Sequence, residues 1–286
     1  MCRLFGLHAG RTPTDATFWL LDAPGSLVEQ SHRNPDGFGL GTFEPDGSVD
    51  VDKAPLAAYV AELYAREARE ERSTTFLAHV RYASVGELTY ENTHPFVLDG
   101  RIFGHNGIVG DLEKVEAELG DLRDELHGTT DSERLFAFIT RKIRDRGGDV
   151  QAGVTDAVHW LAEHVELYSL NFVMTTPEEL WALRYPEGNE LWVLHHGPSD
   201  EALEEHGSYG EINVRVPGTC DRPVVVVASE KMDDDPHWRP LFAGELLRVG
   251  PELDLSVRTI IHHPPAKQME LSGQAAASQQ DSVAAP

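Results

Sequence analysis

The feature that most constrains the fold is a change of hydrophobic periodicity along the chain. Apolar residues recur with strand-like spacing near both ends and with helical spacing in between. The strand-like segments of the first half are residues 2–9, 38–43, 74–82 and 101–109. The helical segments are residues 16–21, 55–72, 111–119, 131–144 and 154–167.

A second group of strand-like segments follows residue 170. A meander is predicted for residues 171–175, 180–185 and 191–195, and the folded part closes with residues 224–229, 246–249 and 255–261. Two groups of strands, each accompanied by helices, predict stacked sheets with helices outside. In residues 267–286, Gln, Ala, Ser and Gly leave little to bury, which predicts a disordered tail after one domain of residues 2–266.

For one helix and one strand, the sequence also predicts which residues pack against the rest of the protein. Pro55 opens a helix whose apolar face comprises Leu56, Tyr59, Val60, Leu63 and Tyr64. In residues 38–43, glycine alternates with larger apolar residues, which predicts a strand that another segment approaches closely.

The charge balance argues against two classes of partner. The chain has 24 Lys and Arg against 48 Asp and Glu, a formal net charge of −24. Nucleic acid and anionic membranes are negative and would be repelled, so we expect neither as a partner. No apolar run reaches about 18 residues, and the N-terminus lacks the regions of a signal peptide, so we expect a cytoplasmic protein.

The two cysteines, Cys2 and Cys220, form no Cys-x-x-Cys pair, which argues against a zinc site or a disulfide framework. If Met1 is removed, Cys2 gains a free α-amino group, whose pKa is roughly 7.7–8.0. That amine can accept the thiol proton, so one residue would supply both nucleophile and base. The alternative is a buried cysteine that acts as a small apolar residue.

A second cluster lies at the end of a predicted strand. Alternation places His79 and Arg81 on one face, where the guanidinium could bind a carboxylate through two parallel hydrogen bonds, and Gly86 could hinge a short lid. A surface ion pair is the simpler interpretation of Arg81. In the next loop, Pro95 holds His94 extended, and positioning of the loop is favoured over proton transfer.

Two further pairs leave alternatives open. Asn106-Gly107 is typical of a tight turn, but strand-like residues flank it. The functional alternative is an oxyanion hole formed by the Asn106 amide and the Gly107 backbone N–H. Thr130 or Asp131 could cap the following helix. Asp131 could instead bind a ligand ammonium, and with Arg81 it would recognise both charged groups of an amino acid.

Taken in order, these motifs resemble the class II glutamine amidotransferase domain, an N-terminal-nucleophile hydrolase. The matching segments are the Cys2 start and those beginning at His79, Asn92, His105 and Thr130. Weaker matches are the Asp-Gly segment at residues 34–39 and the late segments at residues 227–230, 238–240 and 244–247. The resemblance spans about residues 2–260.

The resemblance implies an α+β fold, the four-layer αββα sandwich. It implies that Cys2 attacks the substrate amide, that its α-amine is the base and that Asn106 and Gly107 hold the oxyanion. The implied substrate-binding residues are Arg81 for the α-carboxylate, Asp131 for the α-ammonium, Ser84 in a lid at residues 84–87, and His94. A γ-glutamyl thioester would form without a metal or organic cofactor.

Several functions remain open at this stage. The hydrolase domain takes up the folded length, so the chain either hydrolyses glutamine or a γ-glutamyl amide alone or delivers ammonia to a separate synthetase. A non-catalytic glutamine-binding sensor is a third reading, disfavoured because Cys2, Asn106 and Gly107 are all retained. A Cys-type acylase of penicillin V or bile-salt conjugates shares the fold class, but the Arg81 and Asp131 pair favours an amino-acid substrate.

Overall fold

The computed structural model describes residues 2–82, 87–196 and 223–271. Within them, fourteen strands form two sheets of seven strands each. At the centre of the first sheet, β1 (Arg3–His8) lies antiparallel between β10 (Val224–Ala228) and β4 (Thr75–Arg81). The other strands of this sheet are β2 (Gly37–Phe43), β3 (Val49–Ala54), β9 (Trp192–His196) and β11 (Arg239–Pro240).

The second sheet is centred on β6 (Arg101–Val109) and β7 (Glu166–Thr175), which pair antiparallel with Asn106 opposite Asn171. Its other antiparallel strands are β5 (Phe96–Leu98), β8 (Leu180–Arg184), β12 (Glu245–Val249) and β13 (Leu255–Thr259). A short β14 (Lys267–Gln268) runs parallel to β7.

Helices cover the outer face of each sheet. The α-helices of the described residues are α1 (Leu27–Gln30), α2 (Glu62–Glu70), α3 (Leu112–Ala117), α4 (Asp131–Asp145) and α5 (Val150–His164). A π-helical turn at Phe18–Asp22 and 3₁₀ turns at Ala58–Val60 and Gly120–Glu125 complete the helical layers. Among the described residues, no helix has the length and apolar character needed to cross a membrane.

Three apolar clusters separate the four layers. One joins the first sheet to its helices and contains Leu20 and Tyr64, and another joins the second sheet to α4 and α5 and contains Phe136 and Leu161. The third lies between the sheets and contains Leu4, Leu77 and Val173. The order of layers is therefore helices, sheet, sheet, helices, which confirms the predicted αββα sandwich.

The glycines of β2 allow the close approach that the sequence predicted. A Cβ atom at Gly39 would fall on the carbonyl oxygen of His94, and one at Gly41 would lie 2.8 Å from Cγ2 of Ile102. The loop that carries His94 therefore packs directly on the first sheet, next to the end of β4.

The predicted helix over residues 55–72 is wrong in its first half. Ala61 is extended, with φ −90° and ψ 106°, and separates the 3₁₀ turn from α2. Tyr64 is buried as predicted, but Leu56, Tyr59 and Val60 are exposed at 41%, 45% and 62%. An apolar stripe counted across residues 55–72 therefore spans two elements with different orientations.

Two predictions about chain connection also need correction. The segment after β8 does not extend a meander, because β9 pairs with β10 in the first sheet rather than with β8. The tail cannot begin at residue 267, because Lys267 and Gln268 pair with Glu166 and Leu167. Residues 272–286 lie outside the described residues, as does Cys220.

Candidate active site

Cys2 lies immediately before β1, the central strand of the first sheet, and beside the end of β4. Its Sγ accepts a hydrogen bond from the backbone N–H of Tyr82 at 3.3 Å and donates to the Tyr82 carbonyl at 3.4 Å. Burial raises the pKa of the Cys2 thiol, while the Tyr82 hydrogen bond and the Arg81 charge act in the opposite direction. The residue as a whole remains partly exposed.

Asn106 and Gly107 lie inside β6, so the tight-turn interpretation of this pair is wrong. The Asn106 amide crosses to the first sheet, where Nδ2 donates to the Cys2 carbonyl oxygen at 2.7 Å. The Asn106 carbonyl accepts from Oγ of Ser169 at 3.0 Å. Glycine is needed at position 107, because a Cβ there would fall on the Ser169 carbonyl oxygen.

Arg81 ends β4 and points into the space between the sheets. Phe76, Ala78 and Val80 belong to the outer cluster and Leu77 to the inter-sheet cluster, so alternation turns His79 and Arg81 inward. Arg81 is only 4% exposed, which rules out a surface ion pair. Its Nη1 donates to the Glu87 carbonyl at 3.2 Å. Desolvation lowers the pKa of Arg81, and its interactions with Cys2, Asp36 and Asp131 oppose that shift.

Asp131 is the first residue of α4, and Thr130 rather than Asp131 caps the helix. Oγ1 of Thr130 accepts from the Glu133 N–H at 3.3 Å. The Asp131 carboxylate instead reaches the end of β6, where Oδ2 accepts from the Val109 N–H at 2.8 Å. Asp131 is partly exposed, and its charge lies close enough to Arg81 to oppose the lowering of the guanidinium pKa by burial.

His105 ties α4 to the second sheet. Its Nε2 lies 3.0 Å from the Ser169 carbonyl oxygen and its Nδ1 lies 2.9 Å from Oγ of Ser132. Because a carbonyl only accepts, Nε2 carries the proton and Nδ1 accepts from Ser132. Burial lowers the pKa of His105, which favours this neutral form.

Neither ring nitrogen of His94 has a hydrogen-bond partner among the described residues, so His94 makes no hydrogen bond to the Cys2 sulfur. Its ring stacks on that of His79, with 4.1 Å between ring centroids, and both residues are buried. Burial lowers the pKa of both histidines, to about 3 for His79. This geometry supports positioning of the loop rather than proton transfer by His94.

The structure brings Cys2, Arg81, Asn106 and Asp131 to one region, where β1, β4, β6 and α4 meet. Ser84 and Gly86, and with them most of the predicted lid, lie outside the described residues. Among the described residues, no group of three or more His, Cys, Asp and Glu side chains is arranged to hold a metal ion. Sequence reasoning gave no separate role to Asn92, Ser132 or Ser169, because each bonds a residue distant in the chain: Thr129, His105 and Asn106, which lie 37, 27 and 63 residues away.

Solved structures share this fold. One titled as the structure of the allosteric regulatory enzyme of purine biosynthesis superposes with a TM-score of 0.65 at 18% identity, over 92% of this chain and 50% of that one. A glutamine aminotransferase class-II domain protein from Silicibacter pomeroyi superposes with a TM-score of 0.60 at 20% identity, over 90% and 99% of the two chains. The four layers define the N-terminal-nucleophile hydrolase class of fold.

Sequence comparison gives the family within that class. The family described as glutamine amidotransferases class-II matches residues 1–271. The Escherichia coli (strain K12) protein named "Putative glutamine amidotransferase YafJ" is 26% identical over 86% of this chain and 96% of its own length. An uncharacterized protein of Methanocaldococcus jannaschii is 38% identical over 78% of this chain and 63% of its own length. The chain belongs to the class II glutamine amidotransferases.

Proposed function

We propose that this chain is an N-terminal cysteine amidohydrolase that releases glutamate from glutamine or from a γ-glutamyl amide. The observation that carries the proposal is the placement of Cys2 beside Asn106, Arg81 and Asp131. A thiol, an amide donor, a cation and a carboxylate then face one substrate. A protein that only binds an amino acid would require the cation and the carboxylate, but not the thiol and the amide donor.

The chemical steps follow from Cys2 once Met1 has been removed. The α-amine takes the thiol proton, the sulfur attacks the substrate δ-carbonyl, and a tetrahedral oxyanion forms. One Nδ2 proton of Asn106 already bonds the Cys2 carbonyl, so the other can reach the oxyanion together with the Gly107 N–H. The protonated α-amine then gives its proton to the leaving amine. Water hydrolyses the resulting γ-glutamyl thioester and releases glutamate.

Substrate recognition rests on the two charged residues. The Arg81 guanidinium binds the α-carboxylate, and Asp131 binds the α-ammonium. Oδ2 of Asp131 is held by the Val109 N–H, which fixes the carboxylate. Oδ1 lies 3.5 Å from Oγ of Ser132 and has a further lone pair that can accept from the substrate ammonium. Ser84 and His94 complete the proposed set, Ser84 as part of a lid and His94 by fixing the loop that packs on β2.

A second candidate is a glutaminase subunit that delivers ammonia to a separate synthetase. It is favoured by the 27% identity to a glutamine–fructose-6-phosphate aminotransferase of Xylella fastidiosa, over 55% of this chain and only 24% of that protein. In that case glutamine turnover would rise when a partner is present. Co-purification from the native host, followed by glutaminase assays with and without the captured protein, separates the two candidates.

The test is a screen of glutamine and γ-glutamyl amides against Met1-processed protein, with glutamate release as the readout. Wild type should turn over at least one of these amides, and Cys2→Ala should abolish turnover without loss of the fold. Intact mass after a rapid acid quench should show one γ-glutamyl group on wild type and none on Cys2→Ala. Turnover by Cys2→Ala at the wild-type rate would exclude the thioester mechanism.

A further inference from the structure

Asn92 is a buried asparagine for which the mechanism above has no use. It lies in the loop between β4 and β5 and is 3% exposed. Both ends of its side-chain amide have partners: Nδ2 donates to the Glu87 carbonyl at 3.2 Å, and Oδ1 accepts from the Thr129 N–H at 2.7 Å. The Glu87 carbonyl also contacts Arg81, and Thr129 lies two residues before Asp131, so the two partners lead to different proposed substrate-binding residues.

The Glu87 carbonyl connects Asn92 to the carboxylate-binding residue. The same oxygen accepts from Nη1 of Arg81 at 3.2 Å and from Nδ2 of Asn92 at 3.2 Å. The Asn92 amide therefore positions the Glu87 carbonyl oxygen, and that oxygen in turn orients the Arg81 guanidinium. A guanidinium binds a carboxylate well only when its plane is correctly oriented.

The Thr129 backbone connects Asn92 to the ammonium-binding residue. Thr129 is two residues before Asp131, and its hydroxyl also receives a hydrogen bond from Nδ2 of Asn92 at 3.2 Å. The segment packs tightly on the amide, since a Cβ at Gly128 would lie 2.6 Å from Oδ1 of Asn92. The Glu133 carboxylate accepts from the His127 and Gly128 N–H groups just before this segment, and Asn92 holds Thr129 itself.

We propose that Asn92 is a positioning residue that sets the spacing between Arg81 and Asp131, and thereby the selectivity for substrates whose α-carboxylate and α-ammonium are both free. The proposal rests on the function proposed above. The two charges of an amino acid sit on one carbon, so their protein partners must keep a fixed separation. Sites of this kind tolerate errors of about 0.5 Å, and a shift of about 1 Å can cost a factor of about 10².

The loop should keep its backbone conformation without the Asn92 side chain. Nζ of Lys53 donates to the carbonyl oxygens of Thr93 at 2.8 Å and of Pro95 at 3.1 Å. Oγ1 of Thr93 also donates to the Thr89 carbonyl at 2.7 Å. Substitution of Asn92 therefore removes the link between the two substrate-binding segments and leaves the loop attached to β3.

The experiment measures binding in the Cys2→Ala background, where no ligand is consumed. Calorimetry gives the Kd of L-glutamine, of its α-methyl ester and of its N-acetyl derivative. It is measured for the protein that retains Asn92 and for two variants at that position. Asn92→Ala removes both links, whereas Asn92→Asp keeps an acceptor for the Thr129 N–H and loses the donor to the Glu87 carbonyl. Ser73→Ala is the control, since Ser73 is equally buried, bonds the Phe43 backbone and precedes β4 at the end opposite Arg81.

Asn92→Ala should weaken L-glutamine binding by about tenfold or more and leave the two blocked ligands within about twofold, so that discrimination is lost. Asn92→Asp should chiefly lose the preference for the free acid over the ester. The proposal is overturned if discrimination is retained, if all three ligands weaken equally, or if Cys2→Ala protein binds none of them. Selective binding without turnover by wild type would instead exclude the proposed function and leave the role of Asn92 standing.

Discussion

At the residue scale, the proposed nucleophile, Cys2, lies in surroundings that do not by themselves favour the thiolate form. Burial raises the pKa of the Cys2 thiol, so proton removal depends on a base in direct reach. The α-amine of a processed Cys2 satisfies that requirement, since it belongs to the same residue. The state of the N-terminus should therefore decide whether the protein is active.

Protein that retains Met1 should be nearly inactive. A methionine before Cys2 converts the α-amine into a peptide N–H, which cannot accept the thiol proton, and moves the free amine one residue away. Glutamate release should be measured on samples whose intact mass is recorded, before and after treatment with methionine aminopeptidase. Full activity of a sample that still carries Met1 would exclude the α-amine as the base.

Replacement of Asn106 by Ala should lower kcat by about 10²–10³ with a smaller change in KM, because an oxyanion donor acts mainly in the transition state. The variant also loses the 2.7 Å hydrogen bond to the Cys2 carbonyl. Asn189→Ala is a suitable control, since Asn189 is also buried and its side chain bonds only the Tyr168 hydroxyl within the described residues. Equal kcat values for the two variants would contradict an oxyanion role for Asn106.

At the scale of elements, α4 positions Asp131 through its first turn. Thr130→Ala removes the hydroxyl that accepts from the Glu133 N–H and should cost about 1 kcal/mol of stability. Because Asp131 follows the cap directly, KM for a substrate with a free α-amine should also rise. Urea unfolding measures the stability and steady-state kinetics measure KM. Thr130→Ser should restore both quantities to their wild-type values.

The matched control for this substitution is the cap of the neighbouring helix. Asp149 caps α5 by accepting from the Ala152 N–H at 3.0 Å. Asp149→Ala should lose a similar amount of stability and leave KM unchanged. A rise in KM for Asp149→Ala equal to that for Thr130→Ala would show that general destabilisation, rather than displacement of Asp131, causes the effect.

Local signals in the sequence located some elements well and others poorly. The predicted helix over residues 131–144 agrees with α4 to within one residue, because a capping threonine and a regular apolar stripe are both local. The sheet to which β9 belongs depends on its pairing with β10, and β14 depends on pairing with β7, so neither followed from local periodicity. The same holds for the site, where the bonds from Asn106 to Cys2 and from Asp131 to Val109 join distant segments.

At the scale of the whole molecule, both sheets and the loop between β4 and β5 contribute a buried histidine to the interior. They are His79, His105 and His94. Burial lowers the pKa of each, to about 3 for His79 and well below the ordinary value for His94, and the Arg81 charge adds to both of these shifts. The fold therefore disfavours the protonated form of all three rings.

This arrangement predicts a loss of stability in mild acid. Between about pH 3 and the ordinary histidine pKa of about 6.5, the unfolded chain binds protons that the folded chain does not bind. The free energy of unfolding should therefore fall as pH decreases through 6.5. For one histidine with so low a folded pKa, the loss between pH 6.5 and pH 5 is roughly 1–2 kcal/mol.

The contribution of His79 can be isolated by comparing variants. His79→Phe keeps a flat ring against His94 and removes the titrating group, so its unfolding free energy should fall by roughly 1–2 kcal/mol less than that of wild type between pH 6.5 and pH 5. The control is His262→Phe, at an exposed position, whose unfolding free energy should change between the two pH values as that of wild type does. Urea unfolding at the two pH values measures the difference. If His79→Phe and wild type lose the same stability, exclusion of a proton from His79 cannot be a cause of the acid sensitivity, and other titrating groups, His94 and His105 among them, must account for it.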